Sequence, residues 1–275
     1  MEIIVDGLAF AEGPRWHDGR LYFSDFYRHV VNAINDKGEL EVVAEVPQQP
    51  SGLGWLPDGR LLIVSMLDRR LLRQEPDGSL VEHANLGEIA TWHCNDMVVD
   101  AAGRAYVGNF GFDIEAGAAA EMQPADLARV DPDGSVTIAA TDLHFPNGTV
   151  ITPDGRTMII GETWGRRLTA FDIGADGTLT NRRVWADIEP HLPDGICLDA
   201  EGAVWVADPG NQCVIRVREG GEITDRFDTE MGAFACMLGG DDGRSLYVCI
   251  ASGTGTDVSG HIAMQRVDVP HAGLP

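Results

Sequence analysis

The sequence predicts an all-β fold, a six-bladed β-propeller, and three observations carry that reading. A unit made of a polar residue, a short apolar run, a D-G-type turn and a second apolar run recurs six times. The turn glycines Gly19, Gly59, Gly103, Gly155, Gly202 and Gly243 are spaced 40, 44, 52, 47 and 41 residues apart. Two more strand-length runs follow each of the first five units, and four strands in a period of this length make one propeller blade. No window has competing helical periodicity. The repeats occupy the chain from end to end, so residues 1–275 read as a single domain.

The six units cover residues 12–25, 51–65, 95–109, 147–162, 194–208 and 235–249. In each, two apolar runs flank a tight turn, the strongest short-range hairpin signal. The outer strands are expected at 30–34 and 40–46, then 69–74 and 80–86, then 127–131 and 135–140. They continue at 167–173 and 179–188, and at 213–218 and 222–227. The sixth repeat is one strand short, with runs at 236–238, 245–250 and 262–269. Residues 2–5 form an unassigned strand at the other end, expected to pair onto the last blade, close the ring and remove its open edges. Two stretches exceed the repeat, 110–125 and 252–260. Loops of this length in a compact domain carry function, and the first, with Phe110, Phe112 and Asp113, is expected to form a lid over one mouth of the channel.

Composition narrows the function. With 20 Lys+Arg against 43 Asp+Glu the formal net charge is −23, which repels a phosphate backbone and argues against a nucleic-acid partner. No apolar run approaches the roughly 20 residues of a spanning helix, so no membrane role is expected. The first ten residues lack a basic n-region and carry Glu2 and Asp6, unlike a signal peptide. The five cysteines are an odd number without CxxC spacing, as expected of free thiols in a reducing, cytoplasmic setting. Cys94 and Cys197 flank ring positions and are expected to be buried thiols, not nucleophiles.

The first residue of each unit carries the chemistry. The first strands line the channel, so equivalent positions meet around one axis. Ser51, Asn95, Asn147, Asp194 and Ala235 each stand 8 residues before their turn glycine, and Glu12 stands 7 before its own. Taken singly, the N-G, D-G and E-G pairs read equally as turn formers. Together, two carboxylates and two amides converging without a counter-charge point to a divalent cation, Ca²⁺, Mg²⁺, Mn²⁺ or Zn²⁺. An ion held by three or four protein oxygens keeps open positions, where it can polarise a carbonyl and acidify a water, with Asp194 or Glu12 as general base.

At these residues the chain resembles the family of senescence marker protein (regucalcin), gluconolactonase and luciferin-regenerating enzyme. The E-G-P at Glu12–Pro14, the N-D at Asn95–Asp96, the N-G at Asn147–Gly148 and the P-D-G at Pro193–Gly195 match in order and approximate spacing. The resemblance implies one catalytic divalent metal ion at the channel mouth, held by Glu12, Asn147 and Asp194. Asn95 would be a further ligand or a substrate contact, and Asp194 the general base. The implied activity is lactone hydrolysis, often of sugar lactones. A phosphotriesterase-like hydrolase and a non-enzymatic calcium-binding or interaction propeller are the alternatives. Where sugar-lactonase relatives commonly carry an arginine two residues before the N-D, this chain has His93, which lacks the guanidinium fork. Trp92, Cys94, Trp164 and the lid phenylalanines make the mouth more apolar than a polyol requires. The substrate contacts expected are therefore Asn95, His93, Asp113, Phe112 and Trp164, around a sugar lactone or a less polar lactone or ester.

Overall fold

The computed structural model describes residues 1–34, 38–119, 121–256 and 258–275. Ala120 of the expected lid and Asp257 of the second long stretch lie outside the described residues. The strands form six antiparallel sheets of four, which follow one another around a ring as the blades of a propeller. Blade 1 runs Ala11–His17, Arg20–Asp25, Val30–Ile34 and Leu40–Glu45. The first strands of blades 2 to 5 are Pro50–Trp55, Cys94–Val99, Pro146–Ile151 and Ile196–Leu198.

Blade 6 is built from both ends of the chain. Gly232–Gly239, Ser245–Ala251 and Gly260–Arg266 supply three strands, and Glu2–Leu8 lies antiparallel outside the last, with Glu2 opposite Met264 and Leu8 opposite Gly260. The added strand is longer than residues 2–5 because the pairing tolerates register shifts on either side of Val5. The C-terminal tail makes a second tie. The Leu274 amide donates to the Ile151 carbonyl at 2.9 Å and the Ala272 amide to the Leu198 carbonyl at 3.0 Å, joining the tail to blades 4 and 5. No helix among the described residues is long and apolar enough to cross a membrane.

The core is divided by blade. One buried apolar cluster fills each of the six interfaces between neighbouring blades, such as Val98, Tyr106, Leu127, Ile151, Met158 and Phe171 between blades 3 and 4. This follows from the sequence pattern, because inner strands covered on both faces read as near-continuous apolar runs. Trp16 stacks on Tyr247 of blade 6, and Trp55 stacks on His17 of blade 1, so both rings bridge blades. The residues that end the second strands act as ties. Asp25 accepts the amides of Ala9 and Phe10, Glu162 accepts that of His144, and Asp208 accepts His191 Nδ1 at 2.6 Å.

Gly52, Gly148 and Gly195, which follow ring residues, do not hold the positive φ of turn glycines. A Cβ on Gly52 would lie 2.8 Å from the Asp96 carbonyl carbon, and one on Gly195 would lie 2.5 Å from the Ala235 Cβ. A Cβ on Gly148 would lie 2.6 Å from the Asp194 carbonyl oxygen and nearer still to the Ile196 nitrogen. These glycines let the first strand of one blade touch the backbone of the next, which sets the bore of the channel. Gly148→Ala is therefore expected to cost about 1–3 kcal/mol in urea unfolding, as overpacking does, and to disturb Asp194, whose carbonyl accepts the Gly148 amide at 3.1 Å.

Candidate active site

The strand entrances bring Glu12, Asn95, Asn147 and Asp194 to one cavity of about 370 Å³ at a single mouth of the channel. Glu12, Asn95 and Asn147 lie within their first strands, whereas Asp194 stands two residues ahead of Ile196–Leu198, its amide donating to the Ala207 carbonyl at 2.9 Å. The side chains are held from below and behind. The Gly13 amide donates to Glu12 Oε2 at 2.8 Å. The Asn147 amide nitrogen donates to Thr163 Oγ1 at 3.3 Å, and that hydroxyl donates to the Pro193 carbonyl at 2.7 Å, so Thr163 couples Asn147 to the chain entering Asp194. The Ser51 hydroxyl stands 3.5 Å from Asn95 Oδ1.

Beneath the ring lies a buried ion pair. In the third repeat Asp96 takes the place that glycine holds in four others, and its Oδ1 accepts Arg15 Nη2 at 2.6 Å. The same guanidinium donates to the Met97 carbonyl at 2.7 Å and the Leu53 carbonyl at 3.1 Å, spanning blades 1 to 3. Burial, and then the Asp194 charge, drive the Glu12 carboxyl well above its ordinary value. Burial does the same to Asp194, with Asp96 and Asp208 adding to it and the Asn147 hydrogen bond opposing it. Glu12, Asp96 and Asp194 set against Arg15 leave two negative charges in a desolvated site. That excess, and a donor set of carboxylate and amide oxygens, fits one divalent cation, which removes the conflict that otherwise forces a carboxyl to hold a proton.

His93 and Trp164 also line the cavity. Burial lowers the His93 imidazole below its ordinary value, against the raising effect of Glu115 and Asp113. Phe112 and Asp113 do not line it. Phe112 is buried behind the wall with its ring 6.2 Å from that of Phe145, and Asp113 is exposed, its Oδ1 accepting the Glu115 amide at 2.9 Å as a cap on the short 3-10 segment Ile114–Ala119. That local turn presents Ile114 and Glu115 to the cavity in their stead. Ser51 and Ala235, the small members of the ring, are buried and do not line the cavity. Gln49, Met66 and Phe234 line it instead.

Part of the remaining lining follows a simple positional rule. In blades 1 to 5 the residue two before each ring position stands ahead of the first strand and also points at the mouth, with Gln49 and Phe145 holding positive φ there. Those residues are Phe10, Gln49, His93, Phe145 and Leu192 in blades 1 to 5, and all five line the cavity. Blade 6 breaks the rule. A register shift between Ala233 and Ala235 buries Ala233 and turns Phe234 to the mouth.

A second cluster, His191, Asp208 and Cys213, brings three ligand-type atoms within 4.8 Å of one another. Asp208 there already accepts His191 Nδ1, the Asn211 amide at 3.0 Å and Asn211 Nδ2 at 2.8 Å, and burial pushes the Cys213 thiol up to about 11. It is the tie at the end of a second strand, with its acceptor capacity spent within the protein.

Residues 10–252 match the model of the SMP-30/Gluconolactonase/LRE-like region. The chain belongs to that family. Pentonolactonase XacC of Haloferax volcanii is 31% identical to this chain, over 99% of this chain and 95% of the relative. A 6-deoxy-6-sulfogluconolactonase of Pseudomonas putida is 24% identical over 97% of this chain and 94% of the relative. The solved structure of a calcium-binding regucalcin from Agrobacterium tumefaciens superposes with a TM-score of 0.84 at 22% identity, covering 99% of this chain and 95% of that one, which is a likeness of fold.

Proposed function

We propose that this protein is a lactonase that depends on one divalent metal ion, held by Glu12, Asn147 and Asp194, with Asn95 as a further ligand or a substrate contact. The observation that carries the reading is the pair of buried carboxyls, both raised by burial and by neighbouring negative charge, at the floor of an open cavity. The lactonases among the family relatives support the same chemistry. When bound, the ion polarises the lactone carbonyl and acidifies a water. Asp194 takes a proton from the attacking water as its oxygen bonds to the carbonyl carbon. The ring C–O bond then breaks, and Asp194 returns that proton to the departing alkoxide. Thr163 keeps the Asn147 amide in place, and Arg15 holds the Asp96 carboxyl beneath the site, opposing the burial that raises it.

Stripping the protein with EDTA is expected to abolish hydrolysis of every lactone tested, and one equivalent of Ca²⁺, Mg²⁺, Mn²⁺ or Zn²⁺ to restore it. Metal affinity, measured by calorimetry, is expected to fall as pH drops through the raised carboxyl pKa values, because protons then compete for the same oxygens. Full activity in the stripped protein would sink the proposal. Including diisopropyl fluorophosphate in the screen separates a phosphotriesterase from a lactonase.

A further inference from the structure

We infer that this cavity selects a neutral lactone with a flat aromatic body over a sugar lactone. The inference rests on the lactonase reading above and assigns its substrate class. Two aromatic arcs face the metal-binding residues. Phe10, Phe26 and Tyr27 of blade 1 and Phe234 of blade 6 make the first, with the Phe10 ring 4.6 Å from Phe234, 5.3 Å from Phe26 and 5.9 Å from Tyr27. Phe110, Phe145 and Trp164 of blades 3 and 4 make the second, with Phe110 stacked on Phe145 at 4.7 Å and Trp164 edge-on to Phe145 at 6.1 Å. In a ring of six, the pair of blades 6 and 1 stands opposite the pair 3 and 4, and Met66 of blade 2 shares one apolar cluster with Phe10, Phe26 and Phe110, so the arcs are continuous along one side of the mouth and face each other across the rest.

Three further features agree. Phe145 holds φ at +59°, a conformation costly for a bulky residue and maintained only where the surroundings impose it, and this places its ring in the wall. The described lining contains no Lys or Arg, and its charged members are Glu12, Glu115 and Asp194, so an anionic substituent meets no partner. A polyol would surrender water to two arcs of aromatic carbon, because polar side chains such as Gln49, His93, Asn95 and Asn147 stand between the arcs and at the floor and not along them. A planar ring fits between the arcs with offset-stacked and edge contacts, while its carbonyl reaches Asn95 and Asn147 on the floor.

The test compares dihydrocoumarin with glucono-1,5-lactone on the metal-replete protein, and measures binding of the unreactive lactam 3,4-dihydroquinolin-2-one to EDTA-stripped protein by calorimetry. The partly exposed rings Trp164 and Tyr27 belong to different arcs, and neither is a member of the six clusters between blades. The expected result is kcat/KM at least about ten-fold higher for dihydrocoumarin, with Trp164→Ala and Tyr27→Ala each weakening lactam binding by about three- to ten-fold and raising KM more than they lower kcat. Equal or better turnover of glucono-1,5-lactone, or lactam binding indifferent to both substitutions, overturns the inference. Turnover of neither lactone, with lactam binding still weakened by the two variants, overturns the lactonase reading and upholds the apolar ligand class.

Discussion

Asp194→Asn is expected to lower kcat for lactone hydrolysis by about 10³-fold, the scale of a general base, with KM changing far less. Asparagine keeps the shape of the side chain but cannot take the proton, and it removes one of the two charges that the site presents to a cation. The variant has a second signature. The folded-state pKa of Asp194 is raised, so whatever stability its proton lends is present at low pH and is lost as pH rises from the ordinary carboxylate range through the raised value. At pH 7 the metal-free wild type carries that loss and asparagine does not. Metal-free Asp194→Asn should therefore melt at or above metal-free wild type at pH 7, with the difference closing toward pH 4. Added divalent metal should stabilise the wild type and leave the variant nearly unchanged. A variant with wild-type kcat would remove Asp194 from the chemistry.

The largest effect on stability is expected at Arg15. Its guanidinium is buried, and it is the main group opposing the burial that raises the Asp96 carboxyl. Arg15→Met leaves Asp96 as an uncompensated charge among blades 1 to 3, and should cost about 3–5 kcal/mol in urea unfolding. Adding Asp96→Asn to that background removes the stranded charge and should recover a large part of the loss. If Arg15→Met alone unfolds at the wild-type midpoint, the ion pair does not hold the ring together. Ion pairs such as Arg20–Glu41 offer a contrast, because both partners reach solvent and exposed pairs contribute about 0–1 kcal/mol.

These two experiments rest on different parts of what the chain makes legible. Blade number, strand order and closure by the N-terminal strand follow from local chemistry repeated at a fixed period. Each hairpin is specified by its own turn and apolar alternation, and six copies leave little choice of architecture. The convergence of Glu12, Asn95, Asn147 and Asp194 follows as well, because equivalent positions in a closed ring must meet at its axis. Phe10 and Phe145, two residues ahead of ring positions, are equivalent places in the repeat and stand at the same mouth. Phe112 and Asp113 resisted such reading, because a loop outside the repeat has no period to align it, and a single cap at Asp113 decides which of its side chains turn inward.

What the sequence by itself determined is the ring and the residues that stand at its mouth, since both are consequences of periodicity. Only the tertiary structure decided how the members of that ring meet. It made the glycines beside the ring residues points of contact between blades, set Asp96 against an arginine two blades away, and turned Phe234 inward through a register shift. It also placed two sets of aromatic rings on opposite sides of one cavity. The reason is physical. A repeat specifies each blade through contacts a few residues apart, whereas the spacing between blades depends on which atoms collide when six of them close, and those atoms lie some 40 to 50 residues apart in the chain.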